Sequence, residues 1–199
     1  MHKSDQRRLT REDWATAALG ALARGGIDAV AVEPIAVKLG ATKGSFYWHF
    51  KNRNALVEAA LDLWEKQRTD AVIEFLEQEP DPAQRLRMLI EVAYEQGPSD
   101  RVEIALLSNP GSRIAVRTMR RVAQRRIEYL TDQLEALGWG PEEARFRAML
   151  IGYVYIGRIQ MAHIMPRIDA KDRHRHAELV FNTLVAGGVL TPTAEEVPA

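Results

Sequence analysis

The 199-residue chain contains no cysteine, which excludes disulfides, zinc–thiolate sites and cysteine nucleophiles together. No apolar run approaches the roughly 18–20 residues that a membrane span needs. The opening residues, Met1-His2-Lys3-Ser4-Asp5-Gln6-Arg7-Arg8, lack the apolar core of a signal peptide. A cytoplasmic location is expected; the missing cysteine agrees with a reducing compartment, although many exported bacterial proteins share it. The usual marks of an enzyme are missing too. There is no phosphate-cradling glycine loop and no His-Glu-x-x-His, and Gly44-Ser45-Phe46-Tyr47 does not make a nucleophile elbow. The acid pairs Glu142-Glu143 and Glu195-Glu196 read as solvated. His174 and His176 stand two apart on a helix and so do not share a face. We expect no enzyme activity, no catalytic residue, no cofactor and no metal site.

Net charge is likewise zero, but its distribution is uneven. Residues 1–53 hold nine Lys/Arg against five Asp/Glu, and the remainder hold 18 against 22. A basic head on an acidic body suits a chain whose head alone meets a polyanion, although a bias of this size also arises by chance.

With 46% hydrophobic residues, the chain can build a packed core. β-alternation, repeats and low-complexity tracts are absent from the sequence, and helical periodicity runs throughout. Thr10, with Asp13 three residues on, caps a first helix that ends at Gly25-Gly26. A second starts near Glu33-Pro34 and stops at Gly40. Thr42 caps a third, which reaches about Phe50. Asn52 or Asn54 caps a fourth with the stripe Val57, Ala60, Leu61, Trp64, Ala71, Val72, Phe75. Further helices are expected from Pro82 to Gln96, from Asp100 to Ser108, and up to Gly138 with the face Val116, Met119, Ala123, Ile127, Leu130, Leu134, Leu137. An eighth ends before Pro166. A ninth runs from Asp169, with Asp172 three residues on, to Gly187-Gly188. The expected fold is all-α with about nine helices: a head over 1–52, a body over 53–190 and a frayed tail over 191–199.

Residues 42–53, Thr-Lys-Gly-Ser-Phe-Tyr-Trp-His-Phe-Lys-Asn-Arg, carry the functional signal. They follow a short amphipathic helix across Gly40-Ala41, the spacing of a helix-turn-helix, with small Ala36 allowing close crossing. Phe46 and Phe50, at i and i+4, are read as core. Tyr47, Trp48 and His49 cannot all join them, so some are exposed beside Lys43 and Lys51. Exposed rings among cations suit a surface that grips phosphates and touches base edges.

The run Leu39-Gly-Ala-Thr-Lys-Gly-Ser-Phe-Tyr-Trp-His-Phe-Lys-Asn-Arg-Asn-Ala-Leu56 resembles the signature of the tetracycline-repressor (TetR) family of bacterial transcription regulators. In sequence the resemblance covers residues 10–60; in architecture it covers the whole chain. It implies that Thr42, Lys43, Gly44 and Ser45 approach the major groove of double-stranded DNA. Tyr47 and His49 would touch phosphates or base edges with Trp48 beside them, and Lys51 would hold a phosphate. Thr10 would do the same through its amide and hydroxyl. Two departures stand out: Glu33-Pro34 where the family often has a hydroxyl cap, and Gly44, which offers no side chain for base reading.

The eighth helix is apolar nearly all round from Ala148 to Ile159 and contains Gly152 and Gly157. A helix apolar on every side is buried on every side, and a second copy of the chain is the natural partner. The ninth offers the stripe Ala177, Val180, Phe181, Leu184. The resemblance implies a homodimer through these two helices, a palindromic operator and a small-molecule effector. Trp64, Met88, Tyr94, Leu106, Met119, Tyr155, Ile159, Gln160 and His163 are the pocket candidates, and they suit a mostly hydrophobic ligand. Each is also an ordinary core residue type. Arg117, Arg120, Arg121, Arg125 and Arg126 read as a solvated helix face, with a second nucleic-acid surface as the alternative. The expected function is a ligand-responsive repressor; the alternative is an activator, or a regulator without an effector.

Overall fold

The computed structural model describes residues 9–95, 101–161, 164 and 169–187, with Glu95 and Ala170 described in their backbone alone. The elements run α1 (Arg11–Gly25), a 3₁₀ turn (Ile27–Ala29), α2 (Val32–Lys38), α3 (Lys43–His49), α4 (Arg53–Glu65), a π-helical turn (Lys66–Asp70), α5 (Ala71–Leu76) and α6 (Pro82–Glu95). They continue as α7 (Arg101–Leu107), α8 (Arg113–Ala136), α9 (Pro141–Met161), α10 (Ala170–Val180) and a π-helical turn (Phe181–Val185). Counting α4, its π turn and α5 as one continuous helix, the described residues hold nine helices and no strand, as expected. The expected ends at Gln96 and Asp100, the residue His163 and the tail 191–199 lie outside the described residues.

Local chemistry sets the helix starts. Thr10, Thr42, Asn52 and Asp169 cap α1, α3, α4 and α10, each accepting from the backbone amide three residues on. Between α2 and α3, Gly40 takes φ +64 and Ala41 N donates to Ala36 O at 2.8 Å. The left-handed turn that glycine permits is therefore present.

The chain divides into two compact units, Met1–Ile73 with Pro98–Arg125 and Glu74–Gly97 with Arg126–Ala199. Residue 52, the expected edge of the head, falls inside the first. There Trp14, Leu22, Phe46 and Phe50 share one core with Leu56, Val57, Ala60, Leu61 and Trp64 of α4. Ion pairs reinforce the seam between α4 and α8. Arg117 Nη2 meets Glu58 Oε1 at 2.5 Å, and Arg121 reaches Glu65 Oε2 at 2.7 Å and Asp62 Oδ1 at 3.0 Å. Two of the five crowded arginines thus bind α4 acids.

Two expected stripes are corrected. A straight α-helix continued from Trp64 would bury Phe75. The π turn adds one residue to its turn, so Thr69 and Leu76 are buried while Ala71 and Phe75 are exposed. On α8, Val116 and Ala123 are exposed. The buried line is Ala115, Thr118 and Val122 in the first unit, then Tyr129, Leu130, Gln133 and Leu134 in the second.

The second unit buries Leu86, Ile90, Leu130, Leu134, Ala144, Ala148 and Ile151 with Ala177, Phe181 and Val185. This changes the reading of the ninth helix: the stripe assigned to a mate is largely used by the chain's own core. Trp139 closes that end. Its Nε1 donates to Val185 O at 2.9 Å, Arg147 lies 3.7 Å over its ring, and Gly187 at φ +68 leaves the ring room that a Cβ would take. The eighth helix, α9, is not buried all round in the single chain: Phe146, Leu150, Tyr153 and Val154 are exposed.

Candidate nucleic-acid interface

The head's core orients α3. Phe46 is fully buried, edge-on to Trp14 at 5.5 Å and stacked on Phe50 at 5.7 Å, and Arg11 lies 4.8 Å from the Phe50 ring centre. With that face pinned, the 3.6-residue period turns the next two rings outward. Tyr47 is 58% exposed and Trp48 87%. Such exposure of two large rings on a seven-residue helix is costly unless a partner covers them. His49 and Ser45 are half-buried, and Thr42, Lys43, Gly44 and Lys51 are exposed.

Hydrogen bonding qualifies several of these roles. Thr42 Oγ1 accepts from Ser45 N at 3.2 Å, which fixes the start of α3. Thr10 N and Thr10 Oγ1 both donate to Asp13 Oδ2 at 2.8 Å. The amide and hydroxyl expected to hold a phosphate are therefore already engaged by a carboxylate, and an incoming anion would have to displace it. Lys43 Nζ lies 2.6 Å from Glu33 Oε1 on α2. The hydrogen bond and charge of Glu33 raise the lysine's pKa, and the same bond from Lys43 lowers the glutamate's.

Residues 16–60 match the model of bacterial regulatory proteins of the tetR family. The tetracycline repressor proteins of class D from Escherichia coli and class H from Photobacterium damsela subsp. piscicida are each 44% identical to this chain over 52 residues, 26% of it. The chain carries a tetR-family N-terminal domain. The matched segment spans only 24% of the length of those relatives. Beyond the tetR-family domain, likeness is of fold. The reduced form of NemR from E. coli superposes with a TM-score of 0.75 at 17% identity, over 90% of this chain and 99% of that one. FadR from Bacillus subtilis, solved with stearoyl-CoA, gives 0.69 at 16% over 90% and 100%. A transcriptional regulator from Rhodococcus sp. Rha1 gives 0.68 at 18% over 92% and 100%.

Sequence reasoning missed two residues of the tetR-family domain. Arg53 reads as a basic flank, yet its Nε donates to Val30 O at 2.6 Å and its Nη2 to Ile27 O at 2.5 Å, with Asp28 3.9 Å away. It ties the start of α4 to the turn before α2. Glu33 reads as a departure from a capping residue; its engagement of Lys43 is visible only once α2 and α3 are folded together. Gly44, in contrast, is not demanded by the fold. A Cβ there would meet only Thr42 Oγ1 at an ordinary 3.6 Å. Alanine at 44 should therefore raise the melting temperature, through a helix gain of up to about 1 kcal/mol. It should also weaken DNA binding about tenfold if the backbone approaches a base edge. A melt and a titration of the same sample decide it: unchanged DNA affinity would remove Gly44 from the interface.

The pocket candidates do not fall together in one unit. Trp64 and Leu106 are buried in the first unit's core, with Met119 packed against it. In the second unit Ile159 is buried, Met88, Tyr94 and Tyr155 are half-buried, and Gln160 is exposed. Arg158 lies 5.4 Å from the Tyr94 ring centre and 5.7 Å from that of Tyr155, and burial pushes the Tyr94 phenol up. His174 Nδ1 lies 3.8 Å from Glu91 Oε1, and the His176 ring centre lies 6.4 Å from that of Tyr94.

Proposed function

We propose that the chain is a homodimeric DNA-binding transcription regulator that sets α3 into the major groove of a palindromic operator. The observation that carries this is the pairing of a fully buried Phe46 with outward Tyr47 and Trp48 on the same rigid helix, beside Lys43 and Lys51. Thr42, Ser45 and His49 complete the surface. Base edges and thymine methyls are the chemistry such rings meet, and phosphates the chemistry of Lys51. DNA as partner implies a cytoplasmic site of action. The described residues hold no helix long and apolar enough to cross a membrane.

The reading extends to repression relieved by a small, mostly hydrophobic effector in the body, with activation or regulation without an effector as the alternative. Half-buried Met88, Tyr94 and Tyr155 support an apolar site, and FadR from Bacillus subtilis, similar in fold, was solved in complex with stearoyl-CoA. α4 leaves the head directly, so a ligand that prefers one position of α4 would shift DNA affinity by its differential binding.

Selecting duplexes from a random pool tests the proposal: enrichment of a palindrome supports it, and equal retention of all sequences sinks it. Lys51→Ala should weaken binding evenly across sequences and reduce the salt slope by about one phosphate's worth. An unchanged slope would take Lys51 out of the interface.

A further inference from the structure

The pairing of Lys43 with Glu33 is an odd feature for a surface that meets a polyanion. Lys43 opens α3, and Glu33, on α2, closes on its ammonium at 2.6 Å with both side chains more than half exposed. Exposed ion pairs contribute little to stability, so the fold does not account for it. A lysine there alone would serve any phosphate. With a carboxylate beside it, the pair is neutral and its oxygens repel phosphates, and only a partner offering a donor next to acceptors suits both members.

The major-groove edge of a C·G pair has that form: cytosine N4 donates, and guanine O6 and N7 accept. Carboxylates accept from cytosine N4, and lysines donate to guanine. We propose that Glu33 and Lys43 together read one C·G base pair in each operator half-site, Glu33 taking the cytosine amine and Lys43 the guanine. A carboxylate and an ammonium are both charged at neutral pH, and the pairing of Glu33 with Lys43 favours the charged form of each. Glu33 is then a specificity-determining residue that sequence alone presents as a missing cap. Val37, one helical turn beyond Glu33 on α2 and exposed, would lie beside it. The inference rests on the DNA-binding reading above.

Glu33→Gln and Lys43→Gln, both at exposed positions, test it in the full chain beside the wild type. Operators are selected from a random duplex pool, and affinities for the winner and for random duplex are measured against salt. The wild type should select C·G at one position of each half-site. Glu33→Gln should relax that position alone, with discrimination falling about tenfold. It should also tighten random-duplex binding, with a salt slope steeper by about one as Lys43 turns to a phosphate. Lys43→Gln should relax the same position without steepening the slope. If the wild type selects an operator but Glu33→Gln leaves every position and the slope unchanged, this inference fails and the DNA-binding reading stands. An A·T preference at the affected position overturns the C·G assignment. Selection of no sequence at all overturns both.

Discussion

Arg53→Met should lower the stability of the first unit by about 3 kcal/mol while leaving the salt dependence of any residual DNA binding unchanged. In sequence Arg53 reads only as a basic flank of the Thr42–Arg53 segment. In the fold its guanidinium donates to two carbonyls, Val30 O at 2.6 Å and Ile27 O at 2.5 Å. Charge-assisted hydrogen bonds contribute about 1.5–3 kcal/mol each, and the side chain's 39% exposure argues for the lower end. Methionine keeps the apolar stem, so the loss isolates the two bonds. Arg53→Lys should recover less than half, because an ammonium lacks the planar fork that spans both acceptors. Urea denaturation of the three proteins measures this. Equal midpoints would show that water replaces the guanidinium freely. A shallower salt slope for Arg53→Met would place the residue on the DNA surface.

Arg53 also shows what the sequence could and could not convey. Where a rule is local, residues and structure agree. Thr10 with Asp13, Thr42, Asn52 and Asp169 cap their helices, and Gly40 turns left-handed. The Phe46/Phe50 spacing places both rings in the core. Where the answer depends on which element lies opposite, sequence gave no signal. The carbonyls that Arg53 binds are 23 and 26 residues away, and Lys43 meets an acid ten residues back. The stripe of α4 was legible until the π turn, since one added residue rotates everything after it and exchanges Phe75 for Leu76. The pocket residues were least legible. A large apolar side chain has the same periodicity whether it faces a ligand or a neighbour, and Trp64 and Leu106 are fully packed core.

The two glycines of α9 separate what the chain needs from what a mate would need. An interior glycine costs about 1 kcal/mol against alanine, so each should have a reason. Gly152 has one inside the unit: a Cβ there would stand 3.2 Å from Ile127 Cδ1. Gly157 has none, since a Cβ would meet nothing within 4 Å. It lies on the same side as Phe146, Leu150, Tyr153 and Val154, the exposed line at i, i+4, i+7, i+8 that Gly157 extends to i+11. Tyr153 is 62% and Leu150 47% exposed, so a substitution there touches little of the chain's own core. Leu150→Asp should therefore leave the monomer's melting nearly unchanged. If this face meets its copy, the variant would bury two unpaired carboxylates per dimer, at about 3–5 kcal/mol for each uncompensated charge. Dimerisation should then weaken by about ten-thousandfold or more, about 6 kcal/mol at the least for the two charges, and operator affinity by about 10²–10⁴ as the second head loses its tether. Gly157→Leu should act the same way through bulk, whereas an alanine there should stabilise the free helix. Sedimentation at micromolar concentration separates the outcomes. A wild type that sediments as a monomer, or a Leu150→Asp variant that stays dimeric, would leave α9's apolar line without the partner proposed for it.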